Sequence, residues 1–236
     1  LKKIGIVGKR YEDVKLYTER NQIGESNNCL IHEESLGGMY NFRSTEKENF
    51  DLIMMESGIK KAYIVEDKTM STRTSYTYTS KPSIIDNSLT EKLNCLDWVH
   101  FAYLDDLEDI ENIKKITKPY SIDFCMNKDR LSYSCYIDAA SIVFDSRERK
   151  SLYDSINTDT PIIFHDEKGC EVVIDGKIIC EHFCETLKNI SVNGAGDIFA
   201  KYFLKKHFIE NDRIENASQY ALQNATLFLK LRSINK

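Results

Sequence analysis

The chain has 236 residues, of which 42% are apolar and 29% charged; it can bury a core, and ten glycines with three prolines exclude a collagen-like or disordered polymer. Lys and Arg total 32 against 37 Asp and Glu, a formal charge of -5. No global positive field exists to hold a polyphosphate backbone, so a nucleic-acid partner is not expected, and the length suits one domain over residues 1–236.

Residues 1–8, Leu-Lys-Lys-Ile-Gly-Ile-Val-Gly, read as a short buried strand and carry neither the apolar core nor the cleavage site of a signal peptide. The longest apolar runs are pieces such as Leu52-Ile53-Met54-Met55, far short of a bilayer span, so no membrane partner is expected. After Gly8 come a polar, β-capable stretch, then Asn28 to His32, Leu36-Gly37-Gly38, and a Thr/Tyr-rich alternation from Arg73 to Thr79. Such alternation predicts strands exposed on one face, a small sheet standing off the main body as a lid, with strands from about 10–35 and 62–80. An exposed Thr/Tyr strand also invites edge-to-edge pairing, hence a homodimer through the lid.

Further on, strands are predicted at Trp98 to Tyr103, Tyr120 to Phe124, Ser141 to Phe144 and Pro161 to Phe164. Between the first two, Leu107, Ile110, Ile113 and Ile116 recur every three residues and predict a helix laid on the sheet, completing a βαβ unit. Residues 171–174 and 177–180 flank Asp175-Gly176 and predict a β-hairpin. A last helix carries Ile214, Ala217, Ala221, Ala225 and Phe228 on one stripe. The seven cysteines (29, 95, 125, 135, 170, 180 and 184) are odd in number and lack a Cys-x-x-Cys pair, which fits reduced thiols in a cytoplasmic enzyme. Cys180, His182 and Cys184 lack the remaining ligand that tetrahedral zinc requires.

The segment Asn193-Gly194-Ala195-Gly196-Asp197 precedes Ile198, Phe199, Tyr202 and Phe203 at helical spacing, so it opens a helix. Two glycines there let a ligand approach the backbone, and the first N–H groups of the helix lack intrahelical acceptors. The helix dipole adds about 0.3–1 kcal/mol of preference for an anion. Asp197 is placed to accept the proton of an attacking hydroxyl, as a carboxylate base does in phosphoryl transfer. The plainer reading is a tight turn with Asp197 as an N-cap.

This run resembles the Gly-Ala-Gly-Asp signature of the ribokinase-like (PfkB) carbohydrate kinases, and further landmarks follow in that family's order. The resemblance implies a three-layer α/β/α sandwich with a mostly parallel central sheet and a small β-sheet lid. It also implies ATP and Mg²⁺, and a small sugar or sugar-like acceptor. By the same resemblance Asp197 is the base and Gly194, Ala195 and Gly196 are the anion hole. Leu36-Gly37-Gly38-Met39-Tyr40-Asn41 is similar to the family's Gly-Gly-x-x-Asn element, which implies that Gly37, Gly38 and Asn41 meet the acceptor. Gly8 followed by Asp13 resembles the strand-end pattern whose acid binds acceptor hydroxyls, with Lys9 where an acid usually follows the glycine. Asp145-Ser146-Arg147-Glu148 resembles the Asn-x-x-Glu motif that organises magnesium, with Asp145 and Glu148 as implied ligands. Asn193, Asp166 and Asn224 fall on the implied nucleotide side.

The departures are specific. Phe164 and Asp166 stand where the family has Thr and Gly, Ser191-Val192 where it has Asp-Thr, and Tyr202 where a small residue is usual. The chain is also shorter than typical members by about a βα unit after Asn41. These motivate an alternative, a catalytically impaired sugar- or nucleotide-binding homologue with a regulatory role. A dinucleotide-dependent dehydrogenase fits poorly, because Phe199 stands where the fingerprint needs Gly or Ala and the motif lies far from the first strand.

Overall fold

The structure is a computed structural model that describes residues 1–18, 31–43, 50–67, 72–81, 83–187 and 192–234. Among the described residues ten strands form one sheet: β1 (Lys2–Thr18), β2 (Ile31–Gly38), β3 (Phe50–Asp67), β4 (Thr72–Lys81), β5 (Trp98–Ala102), β6 (Tyr120–Asp123), β7 (Ile142–Ser146), β8 (Ile162–His165), β9 (Gly169–Ile174) and β10 (Lys177–Phe183). The order is β10-β9-β8-β7-β6-β5-β1-β3-β4, with β2 on β1, and β3, β1, β5, β6, β7 and β8 run parallel to their neighbours in turn. Helices α1 (Asn87–Leu93) and α2 (Ser134–Ala139) precede α3 (Ala195–Leu204) and α4 (Ile214–Ile234), with a π turn at Lys205–Ile209 between the last two.

Alternate residues of the parallel strands pack into two separate cores. Ile4, Ile6, Trp98, Ile142, Phe144 and Ile163 join the core that includes α3 and α4, whereas Val7, Val99, Val143, Ile162 and Phe164 join the one that includes α1 and α2. A period of two with both faces apolar is what a parallel sheet between two helical layers demands. The stripe of α4 packs as expected, with Ala217, Ala221 and Ala225 buried and Ile214 and Phe228 against the core. Tyr202, expected to be small, meets Tyr220 of α4 edge-on at 5.9 Å.

The helix expected through Leu107, Ile110, Ile113 and Ile116 is instead two short 3₁₀ turns, Leu104–Asp106 and Glu111–Lys115. An apolar repeat of three matches the 3₁₀ period rather than 3.6, and only Leu107 and Ile113 of the four are fully buried. After Asn41 a 3₁₀ turn, Met39–Phe42, precedes β3, with residues 44–49 outside the described set.

β1 and β3 run on past the body. Their register shifts at Gly8/Lys9, and beyond it β1 pairs antiparallel with β2, and β3 with β4, giving a four-stranded extension ordered β2-β1-β3-β4. Residues 19–30 of the expected strand region 10–35 lie outside the described residues, as do Cys29 and Ser191. β4 is an edge strand exposed on both faces from Ser75 to Lys81, not on one face as expected. Gly8 sits at the divergence, where a Cβ would lie 2.7 Å from the Ala102 carbonyl oxygen; its role is close packing of β1 on β5.

The hairpin forms as expected, with Asp175 and Gly176 both at positive φ (51° and 68°). At its other end Gly169 has φ 153°, and a Cβ there would collide with the His182 carbonyl of β10. Gly169→Ala should therefore cost about 1–3 kcal/mol, read as a lowered midpoint in denaturant; an unchanged midpoint contradicts this packing.

His100 is fully buried on β5, its Nδ1 at 2.9 Å from Ser121 Oγ and its Nε2 without a hydrogen-bond partner. Burial pushes its proton affinity down to about 3. The unfolded chain therefore binds a proton below the ordinary histidine range that the folded chain refuses, and this contribution is lost as pH falls from about 6.5 toward 3. Burial raises Asp105 and Asp123, which pull the other way, so the effect is isolated by comparison with His100→Gln. The stability of the parent relative to H100Q should fall by about 1.4 kcal/mol per pH unit below 6.5. A difference independent of pH between 7 and 5 contradicts a neutral buried imidazole.

Candidate active site

The C-terminal ends of β5 to β8 face the start of α3, where the crevice of an open α/β sheet binds ligands. Gly194 caps α3 in the left-handed region (φ 82°), and a Cβ there would stand 3.1 Å from the Asn41 amide. Gly196, in the first turn, has no intrahelical acceptor for its N–H; a Cβ on it would lie 3.1 Å from His165 Cε1 at the end of β8. Of the three residues expected to form the anion hole, Ala195 spends its N–H on the Val192 carbonyl at 3.1 Å.

Asp197 is 1% exposed, and both its oxygens are engaged. Asn41 Nδ2 donates to Oδ2 at 2.7 Å and the Tyr103 hydroxyl donates to Oδ1 at 2.7 Å. Asn41 arrives through the Met39–Phe42 turn, launched by Gly38 at φ 60° and anchored by buried Met39 and Phe42. Asp13, on the part of β1 beyond the body, is buried against Gly37, whose missing Cβ makes room for Asp13 Oδ2. Asn193 Nδ2 donates to the same oxygen at 3.3 Å. Asp13, Gly37, Gly38, Asn41, Asn193, Gly194, Gly196 and Asp197 thus lie in one contiguous cluster, although they span most of the sequence.

Asp145, Glu148, Asp166 and Asn224 do not join it. Asp145 is fully buried and accepts from Arg130 Nε (2.9 Å), Arg149 Nε (2.6 Å), the Tyr153 hydroxyl (2.8 Å) and the Ser146 N–H (2.7 Å). Glu148 is 78% exposed, 3.5 Å from Arg149 Nη1. With its lone pairs taken by two guanidiniums, a hydroxyl and an amide, Asp145 does not fit the coordination sphere of a divalent cation, and Glu148 does not share one with it. Among the described residues no cluster of three or more His, Cys, Asp or Glu side chains is arranged for a metal; His182 Nε2 lies 3.0 Å from the Glu215 carbonyl. Asp166 accepts from the Lys168 and Gly169 amides at 2.8 and 2.9 Å and shapes its own loop. Phe164 turns into the core and meets Tyr153 edge-on. Asn224 donates to the Tyr220 carbonyl of its own helix at 2.8 Å. The groove between α4 and β10, about 600 Å³, is lined instead by His182, Cys184, Gln219, Leu222, Gln223 and Leu227, among others.

Three residues of the site are absent from the motifs: Tyr103, Asp123 and His165. Asp123, 4% exposed at the end of β6, has its proton affinity pushed well up by burial, then by the charges of Asp197 and Asp145. His165 Nε2 is buried without a hydrogen-bond partner, and burial lowers its proton affinity to about 4. Each lies within one residue of the C-terminal end of a predicted parallel strand, which is the signal that could have found them.

No family profile and no curated protein sequence matches the chain. Solved structures do. Ribokinase from Giardia lamblia aligns over 97% of this chain and 93% of its own at TM-score 0.74 and 13% identity. The nucleoside kinase of Methanocaldococcus jannaschii, an archaeal member of the ribokinase family, aligns over 98% and 92% at 0.64 and 16%. A pyrophosphate-dependent kinase of the ribokinase family aligns over 96% and 95% at 0.67 and 15%. The chain has the ribokinase-like α/β fold with a mostly parallel central sheet. No helix among the described residues is long and apolar enough to cross a membrane.

Proposed function

We propose that the protein is a phosphotransferase that moves a phosphoryl group from ATP to a hydroxyl of a small sugar or sugar-like acceptor. The reading is carried by one observation: a buried carboxylate, Asp197, in the first turn of a helix with a glycine cap, bonded to Asn41 beside the Asp13/Gly37 cluster. The acceptor hydroxyl displaces the Asn41 amide and hands its proton to Asp197 Oδ2 as its oxygen attacks the γ-phosphorus and the bond from that phosphorus to the bridging oxygen breaks, releasing ADP. The freed Asn41, with Asp13 and the backbone at Gly37 and Gly38, orients the acceptor. Gly194, Ala195 and Gly196 line the phosphoryl site; the Gly196 N–H and the helix dipole meet the transferring group, while the Ala195 N–H serves the turn. The high proton affinity of Asp123 limits negative charge facing the phosphates.

The groove between α4 and β10 has the size of a small-molecule site and two carboxamides, Gln219 and Gln223, to read a nucleotide base. Asn193 and Asp166 shape the loops between that groove and Asp197, and Asn224 supports α4 from within. Magnesium would enter with the donor phosphates, since Asp145 and Glu148 are not disposed as a ligand pair. The four-stranded extension acts as a lid over the acceptor and excludes water, a competing nucleophile. Residues 1–236 act as one kinase unit in the cytoplasm, and the exposed edge strand β4 serves as the contact of a homodimer.

The arginines over Asp145 favour a second reading, a homologue that binds sugar or nucleotide without turnover. A screen for ADP release over sugars, sugar phosphates and nucleosides separates the two. Acceptor-dependent ADP release supports the kinase, and calorimetric binding without ATP consumption at high protein concentration supports the binding protein.

A further inference from the structure

Tyr103 follows β5 in the left-handed region, at φ 70° and ψ 70°, where a bulky side chain costs free energy. Its hydroxyl donates to Asp197 Oδ1 at 2.7 Å, and its ring stacks on Tyr11 with centroids 5.9 Å apart. Tyr11 lies on the extension part of β1 and donates to Asp106 Oδ2 at 2.6 Å, while Lys60 Nζ of β3 reaches Asp106 Oδ1 at 2.5 Å. A continuous path therefore joins the two long strands of the extension to the carboxylate, and Tyr103 is its last member. Strain of this kind persists where the surroundings impose it, and here the imposed geometry delivers one hydroxyl to one oxygen.

We propose that Tyr103 is a positioning residue for Asp197: it occupies Oδ1, so that Oδ2 alone faces the acceptor, and it couples the orientation of that carboxylate to the extension through Tyr11. The inference rests on Asp197 being the base. Other ionisable groups near the carboxylate and Tyr103 include Asp123 at the end of β6, Cys125, His165 against Gly196, and Lys201 one turn further along α3. None of them changes in the variants below.

Tyr103→Phe keeps ring and stack and deletes the donor. Its kcat should fall ~10- to 100-fold, the size of a hydrogen bond to a charged group, with the acceptor KM within about twofold because no acceptor contact is lost. The acid limb of the kcat profile should move up by about one pH unit, since the donor favours the ionised carboxylate. Tyr103→Asn accepts the left-handed backbone more readily and cannot reach Asp197. It gives up the ring stack on Tyr11 as well, so it should lose turnover together with some thermal stability, and the comparison with Y103F, which keeps ring and stack, separates the donor from the packing.

Unchanged kcat and acid limb in Y103F overturn the proposal, as does a raised KM at constant kcat, which would make Tyr103 an acceptor ligand. If the parent itself shows no acceptor-dependent turnover, the kinase reading fails by itself. The Asp197 carbon-13 carboxyl titration, followed in parent and Y103F, then tests the contact alone: a raised midpoint in Y103F supports it and coincident titrations overturn it.

Discussion

Asp197→Asn is expected to lower turnover by about 10²–10⁴, the usual contribution of a positioned acid or base, while the fold survives. The asparagine oxygen can still accept from Asn41 Nδ2, which bonds the native carboxylate at 2.7 Å. The new NH₂ faces Tyr103, whose hydroxyl can turn from donor to acceptor. Both buried contacts are thereby kept in kind, and what disappears is the ability to take a proton. Turnover with the best acceptor and the thermal midpoint should be measured on the same preparation. Loss of rate at an unchanged midpoint is the expected result; retention of rate removes the base.

Arg130→Met carries the largest expected loss of stability, about 3–5 kcal/mol, as for a buried ion pair deprived of one partner. Arg130 is fully buried between Asp145 (2.9 Å) and Asp105 (3.3 Å), and its ring neighbour is Phe124 at 4.1 Å. It also donates to the Lys128 and Met126 carbonyls at 2.8 Å each. Burial opposes its charge, yet Asp145 and Asp105 outweigh that and hold it more basic than an ordinary arginine. Methionine fills the volume, leaves two carbonyls short of a donor and takes the Arg130 charge from Asp105, which keeps the Cys125 and Met126 amides, whereas Asp145 keeps Arg149 and Tyr153. Arg130→Lys should recover little, because a single ammonium cannot reproduce a planar fork serving four acceptors. Adding Asp105→Asn to Arg130→Met should regain part of the loss by removing the stranded charge. Denaturant unfolding of the three variants checks this, and a loss below 1 kcal/mol for Arg130→Met contradicts the network.

Much of the body was legible because a parallel sheet writes its pattern locally: Trp98, Val99, Ile142, Val143 and Phe144 announce strands buried on both faces. β1 and β3 were harder. β1 passes at mid-length from a body buried on both faces to an extension buried on one, β3 has Ile53, Met54 and Met55 only partly buried in the body, and neither Gly8 nor Met55 signals that the strand continues. The 3₁₀ turns near Leu107 and Ile113 differ from the expected helix for a reason visible in the sequence, a spacing of three where an α-helix needs three and four.

The candidate site divides in the same way. Residues 37–41 and 193–197 are contiguous motifs with unusual backbone demands, and such demands can be read from glycines. Tyr103, Asp123 and His165 are single residues about 20 positions or more apart, brought together only by the strand order. The sequence motif suggests a cation ligand at Asp145, whereas the cations that claim it are Arg149, four residues on, and Arg130, on a separate segment. Burial then decides its role, since a carboxylate at 0% exposure takes the nearest cations, and these are guanidiniums.

The most direct test is phosphorus-31 NMR of the parent and D197N proteins incubated with ATP, magnesium and each acceptor found by the ADP-release screen. A new phosphate-monoester resonance that grows with ADP in the parent and is absent or reduced by 10²-fold or more in D197N is the predicted result. ADP formation without a phosphorylated acceptor, or the same monoester formed equally by D197N, would contradict hydroxyl phosphorylation by Asp197.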